Sequence, residues 1–136
     1  MNHKLMFEPS WQKAISPIDR KSITDIFENS TPVQNRVIYT QIRAAMNHRG
    51  ALLAMVLVQN GTEEAFSIQD LTLQYEERGR GVVAQNSFNL PEIITEANTS
   101  MPWTFVFPKS SINQRPLLKD WTVTDSKKSN PFQFDR

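Results

Sequence analysis

The chain contains no cysteine, which excludes disulfides, thiolate metal sites and a cysteine nucleophile. That absence suits a cytoplasmic protein and an exported bacterial one alike. Histidine is nearly absent as well, His3 and His48 being the only two. A zinc site needs three or four ligands at characteristic spacing, so neither a transition metal nor another cofactor is expected. Charge of either sign shows no surplus: fifteen basic and fourteen acidic side chains leave a net +1. Nucleic-acid binders usually carry a basic excess or stripe, because phosphate neutralisation dominates their affinity. The densest basic spot here is only Lys127-Lys128, so no nucleic-acid partner is expected. The same balance argues against steering by bulk electrostatics.

Long hydrophobic runs are also missing. The apolar run from Ala51 to Val58 falls well short of the roughly eighteen residues of a membrane helix. Near the start, Glu8 and Pro9 interrupt what would otherwise resemble the apolar stretch of an export signal. The expectation is a cytoplasmic chain without a transmembrane segment.

What remains is an ordinary globular composition. Of 136 residues, 39% are apolar and 21% charged, enough for one core in one domain. Ser16-Pro17-Ile18-Asp19 reads as a helix start, with a hydroxyl at the N-cap, proline at the first helical position and a carboxylate at the third. Ile23, Ile26 and Phe27 then form an apolar stripe, and the spacing predicts a helix over about residues 17 to 28. From residue 36 the period changes to two. Ile38, Thr40, Ile42, Ala44 and Met46 alternate with Val37, Tyr39, Gln41, Arg43 and Ala45, as in a strand with one buried face. Asn47 to Gly50 reads as a turn, and Ala51 to Val58 as a central strand covered on both faces, with a short buried helix as the rival reading that the flanking turn residues disfavour.

Phe66 and Ile68 share one parity and Leu71, Leu73 and Tyr75 the other, which implies a bulge or break at Gln69-Asp70. Glu76 to Gly81 reads as a hairpin loop, Val82 to Phe88 as a strand and Leu90 to Thr99 as polar and irregular. Met101, Trp103, Phe105 and Phe107 alternate cleanly, and Trp121 and Val123 mark a last short strand. The pattern predicts a mainly β fold, an antiparallel immunoglobulin-like β-sandwich with one short N-terminal helix. One domain should span residues 1–124, with a loose polar tail over 125–136. Ile23, Ile26, Phe27, Ile42, Leu53, Val56, Leu73, Phe88, Trp103 and Phe105 are the expected core.

Nothing in this pattern calls for catalysis. Gly79-Arg80-Gly81 lacks the helix start that a phosphate loop needs. Glu63-Glu64 and Glu76-Glu77 lie beside turns, where paired acids are usually solvated. The chain is therefore read as a non-enzyme. The most informative segment is Thr99 to Pro108, an aromatic strand bracketed by prolines, which points to an edge position. It is either core or, in part, a surface that receives a partner, since aromatics and methionine are enriched at interfaces. Met101, Trp103, Phe105 and Phe107 are the candidate interaction residues, with Trp11 and Trp121.

Several ordered segments resemble a known family: Leu5 to Trp11, Ser16 to Arg20, Ile42 to Gly50, Val56 to Gly61 and Ser100 to Pro108. Together, over roughly residues 5 to 118, they are similar to the SLAP domain of Gram-positive bacteria, found in S-layer assembly proteins linked to the accessory Sec secretion system. Larger members carry the domain twice, and this chain has room for one copy. The resemblance implies a non-enzymatic factor that binds an S-layer precursor or the accessory Sec ATPase and assists export or assembly. It brings no catalytic or cofactor residues. With charge balanced, capture of an incompletely folded client protein is expected to depend on apolar and backbone contacts and to resist moderate salt. The alternative is a general protein-interaction module of a sandwich fold serving another bacterial process, and a distant third is an enzyme or small-ligand carrier using a pocket between the helix and the sheet.

Overall fold

A computed structural model describes residues 3–31 and 33–126. It is built from β1 (Lys4–Leu5), α1 (Pro9–Ala14), α2 (Pro17–Asn29), β2 (Val37–Met46), β3 (Leu52–Asn60), β4 (Phe66–Glu77), β5 (Gly81–Thr95), β6 (Thr99–Phe107) and β7 (Trp121–Asp125). A four-stranded sheet has the order β1-β6-β3-β2 and a three-stranded sheet the order β5-β4-β7. All pairings are antiparallel except β1 with β6.

The two sheets face each other across one core. Leu52, Ala54, Val56 and Val58 of β3 meet Leu71, Leu73 and Tyr75 of β4, with Phe88, Phe105 and Phe107 between them. The fold is thus mainly β, as expected. The strand order differs from that of constant-type immunoglobulin domains, where the first, second, fifth and fourth strands share a sheet. The parallel β1–β6 pair makes the larger sheet mixed rather than antiparallel.

Two helices replace the single one expected. α2 starts where the sequence places it, with the Ser16 hydroxyl accepting from the Asp19 amide at 3.1 Å and Pro17 at the first position. α1 was not anticipated. Its cap is the Glu8 carboxylate, which accepts from the Ser10 amide at 2.8 Å, and Pro9 is its first residue. The pair that reads as an interruption of an apolar stretch is a helix start.

Both helices cover the outer face of the larger sheet. The odd-numbered residues of β3 point there: Met55 and Ile23 border one cleft, and Gln59 donates to the C-cap hydroxyl of Ser30 at 2.9 Å. Arg43 of β2 pairs with Asp19 of α2 at 3.3 Å. β3 is therefore covered on both faces from Val56 onward and partly so at Leu53 and Met55, which accounts for its unbroken apolar run.

Bulges account for most phase errors. Ile42 is an extra residue between the pairs Gln41–Val56 and Arg43–Met55. Val37 and Tyr39 consequently pack on the core before the bulge and Ala44 after it, whereas Ile38, Thr40 and Ile42 do not form one buried face. The expected break at Gln69-Asp70 is present as a register shift, with Asp70 at φ 49°. β5 continues to Thr95, where an irregular segment was expected. Ile93 and Thr95 are buried, and Pro91 is tolerated because β5 is an edge strand.

Of the expected core, Ile23, Val56, Leu73, Phe88 and Phe105 are buried, while Ile26, Phe27, Ile42, Leu53 and Trp103 are half-buried. Asp125 closes β7 and Ser126 donates its amide to the Thr72 carbonyl at 3.0 Å, so the tail does not begin at 125. Its remainder, residues 127–136, lies outside the described residues.

Candidate protein-interaction site

Four of the six aromatic or methionine candidates belong to the core. Met101, Phe105, Phe107 and Trp121 are each at most 4% exposed. Phe105 meets Phe88 at 4.9 Å and Tyr39 at 6.1 Å between ring centroids, and Trp121 stacks on Tyr75 at 5.5 Å. Their alternation is that of a strand filling the space between two sheets, so they offer no docking surface.

Trp11 and Trp103 are half-buried and stack on each other at 6.0 Å. The register places Trp103 opposite Val56, on the core side of β6. Trp11 instead borders the cleft shared with Ile23 and Met55 on the outer side. The Trp11 indole therefore wraps the outer edge of β6. That edge is paired only at Thr99 and Ser100, by β1. Pro102 follows immediately and brings no N–H, so a strand added here would lose a donor. The proline-bracketed strand is an edge over most of its length, as expected, but a blunted one.

At the opposite edges the two sheets approach each other closely. β2 ends the larger sheet and β7 the smaller one, and the two border a common groove. One part, of about 490 Å³, is lined by Val37, Ile38, Tyr39, Glu76, Val123 and Thr124. A second recess, of about 560 Å³, continues past Gln41, Glu77, Gly79, Asp120 and Trp121. Glu76 and Thr122 border both. Burial, and secondarily the nearby Asp125 charge, push the Tyr39 phenol far above its ordinary range, so it lines the groove as a neutral hydroxyl.

One end of this groove is held by a buried carboxylate that the sequence reading treated as solvated. Glu77 is 3% exposed. It accepts from the Tyr75 hydroxyl at 2.7 Å and from the amides of Leu117 and Leu118, both at 2.9 Å, and it pairs with Arg80. Burial acts to raise its pKa, but the Tyr75, Leu118, Arg80 and Leu117 donors outweigh it and hold the carboxyl below its ordinary value. The segment leading into β7 is pinned in this way, with Leu118 at φ 66° and Asp120 at φ 49°. A single acid in a turn-like context carried no signal of this in the sequence, because its partners are backbone amides some forty residues away.

Away from the groove, Asn60 at the end of β3 ties together the loop that follows it and the end of β5. It is buried, its amide group donating to the carbonyls of Glu64 at 2.8 Å and of Thr95 and Glu96 at 3.1 Å, while its carbonyl accepts from Thr62. Gly61 beside it allows close approach of the chain: a Cβ there would stand 2.1 Å from the Val33 carbonyl oxygen.

Both histidines serve structure or solvent. His3 shares a 2.7 Å hydrogen bond with the Ser100 hydroxyl and stacks on Phe27, and burial lowers its pKa. His48 is exposed in the turn after β2. No three His, Asp or Glu side chains converge as a metal site among the described residues. None of the described helices is long and apolar enough to cross a membrane.

Two packed sheets with helices on one outer face, a buried polar latch and an open groove between edge strands define a β-rich module built around its edges. A family model of the SLAP domain, the accessory Sec-associated type, matches residues 5–127. The chain belongs to that family, with one copy of the domain over residues 5–127. No curated protein and no solved structure matches it.

Proposed function

We propose that this chain is a non-enzymatic, cytoplasmic protein-binding factor that assists secretion or assembly of S-layer proteins through the accessory Sec pathway. Its partner is an S-layer precursor or the accessory Sec ATPase. Family membership supports the pathway, and the groove between β2 and β7 supports the mode of binding. The observation that carries the reading is that two sheet edges border one groove. An extended segment laid there can pair its backbone with an edge strand and place alternate side chains against Tyr39 and Val37.

A precursor that has not yet folded presents such segments, and a folded one does not. Transient assistance requires release, which favours micromolar affinity, on the order of −8 kcal/mol. Deleting the gene should slow S-layer deposition or leave precursor in the cytoplasm while general secretion continues. Fractionation of a deletion strain tests this, together with co-precipitation of the precursor and the accessory Sec ATPase from the wild type. Normal deposition with neither protein captured rejects the reading.

A further inference from the structure

The near-neutral net charge hides a segregation by sheet. Residues 29 to 62 and 97 to 119 contain no aspartate or glutamate. These stretches supply β2, β3 and β6, the three long strands of the larger sheet, and carry Arg36, Arg43, Arg49, Lys109, Arg115 and Lys119. The acids of the strands, Asp70, Glu76, Glu77, Glu92 and Asp125, all fall in the smaller sheet.

The outer face of the larger sheet is incompletely covered near three of these basic residues, Arg43, Arg49 and Lys109. Arg36 instead borders the β2–β7 groove, and the segment carrying Arg115 and Lys119 packs on the smaller sheet. Ala45, Leu53 and Val106 stand side by side in register across β2, β3 and β6. Ala45 is exposed, Leu53 half-buried and Val106 46% exposed. The next row, Arg43, Met55 and Thr104, leads into the cleft of about 340 Å³ bordered by Trp11, Ala14, Ile15, Ile23 and Met55. The only acid bordering that cleft is Asp19, which Arg43 already neutralises. At the other end of the uncovered rows lie Arg49 in the turn and Lys109 after β6, whose stem packs over Gly50. Neither has an ion-pair partner among the described residues. From Met55 to Gly50 the chain spans about 17 Å at 3.3 Å per residue.

We infer that this face docks an acidic protein segment, with one bulky apolar side chain seated in the cleft and carboxylates reaching Arg49 and Lys109. The cleft supplies an anchor that excludes water, and the basic end supplies orientation and steering. A lipid surface suits the geometry poorly, because the apolar residues line a recess and a flat bilayer does not fill one. This docking does not depend on the β2–β7 groove or on the secretion role.

The test uses the whole chain and labelled short peptides of aspartate, serine and one phenylalanine, read by peptide anisotropy and by Trp11 fluorescence. The acidic phenylalanine peptide should bind with a dissociation constant on the order of 100 µM or tighter. Replacing its phenylalanine by alanine, or filling the cleft with Ala14→Phe, should weaken binding at least about tenfold. The double variant R49E/K109E should weaken the acidic peptide about tenfold and leave a serine-only phenylalanine peptide unchanged. Raising salt toward 1 M, where the screening length is about 3 Å, should have the same selective effect. Thermal unfolding by circular dichroism checks that the variants remain folded. No acidic-peptide binding below about 1 mM, equal binding of the alanine peptide, or binding only to phosphatidylglycerol vesicles overturns the inference.

Discussion

The Tyr75 hydroxyl donates to the Glu77 carboxylate at 2.7 Å from a neighbouring position on the same face of β4. Tyr75 is otherwise enclosed by aromatic rings, with Trp121 stacked on it and Phe107 beside it. One carboxylate thus satisfies a core phenol and two loop amides together. Glu77→Ala should leave all three without an acceptor and destabilise the fold by about 3 kcal/mol, from an unpaired-donor cost of 1–3 kcal/mol per group partly relieved by water. Chemical denaturation of the variant checks the figure.

The same carboxylate predicts a pH dependence of stability. Its folded pKa lies below its unfolded value, so its contribution is present above the unfolded pKa and fades as pH falls through the folded one. Stability should therefore drop with acidification below about pH 4.5, the ordinary value for a glutamate carboxyl. Glu77→Gln should flatten that part of the profile, and unfolding midpoints across the acid range compare the two.

Gly61→Ala tests the close approach at the end of β3. The added Cβ would meet the Val33 carbonyl oxygen and carbon at 2.1 and 2.6 Å, and both are backbone atoms that cannot swing away. A loss of about 3 kcal/mol is expected, at the upper end of overpacking costs. A variant with an unchanged denaturation midpoint would show that the 33–36 segment moves freely.

Thr122→Trp addresses the groove with little cost to the fold. Thr122 is exposed and borders both recesses, so an indole there should close the groove while stability changes by less than about 0.5 kcal/mol. Capture of an unfolded S-layer precursor segment should fall about tenfold or more. The A14F variant of the separate cleft should leave that capture unchanged, which keeps the two surfaces distinguishable.

Trp11→Ala should remove the ring stacked on Trp103 and uncover the outer edge of β6. The expected stability loss is about 1.5 kcal/mol, appropriate to a half-buried aromatic. A rising tendency to self-associate, seen by light scattering, is expected to accompany it, because an uncovered edge invites pairing.

Strand identity was readable wherever one rule governed a segment. The β3 run, the turn at Asn47–Gly50 and the cap at Ser16 each obey local chemistry, and each stands where its residues place it. Errors arose where a distant partner changes the meaning of a residue. Ile42 looks like another inward position, but a bulge against Val56 and Met55 removes it from the pattern. Glu77 looks solvated until Leu117 and Leu118 fold back onto it. Phe105 and Phe107 look like interface residues until the second sheet covers them. The acid-free stretches were visible in the sequence, but a net charge sums them away, and only the sheet order joins β2, β3 and β6 in one sheet.

The pairing of Lys4–Leu5 with Thr99–Ser100 bears on how the chain folds. Two ladder residues join segments about ninety-five positions apart, a connection whose closure entropy is high and whose immediate return is small. The β2–β3 and β4–β5 hairpins close over short loops, so they should form first, and the N-terminal strand should dock in the slow phase. In the native state the same strand should open most readily, together with the α1 segment that follows it. Amide hydrogen exchange would then show Met6, whose N–H donates to the Ser100 carbonyl at 2.9 Å, exchanging well before the amides of β3. Early exchange there would make residues 4–15 a latch over the β6 edge that unfastens while both sheets stay intact.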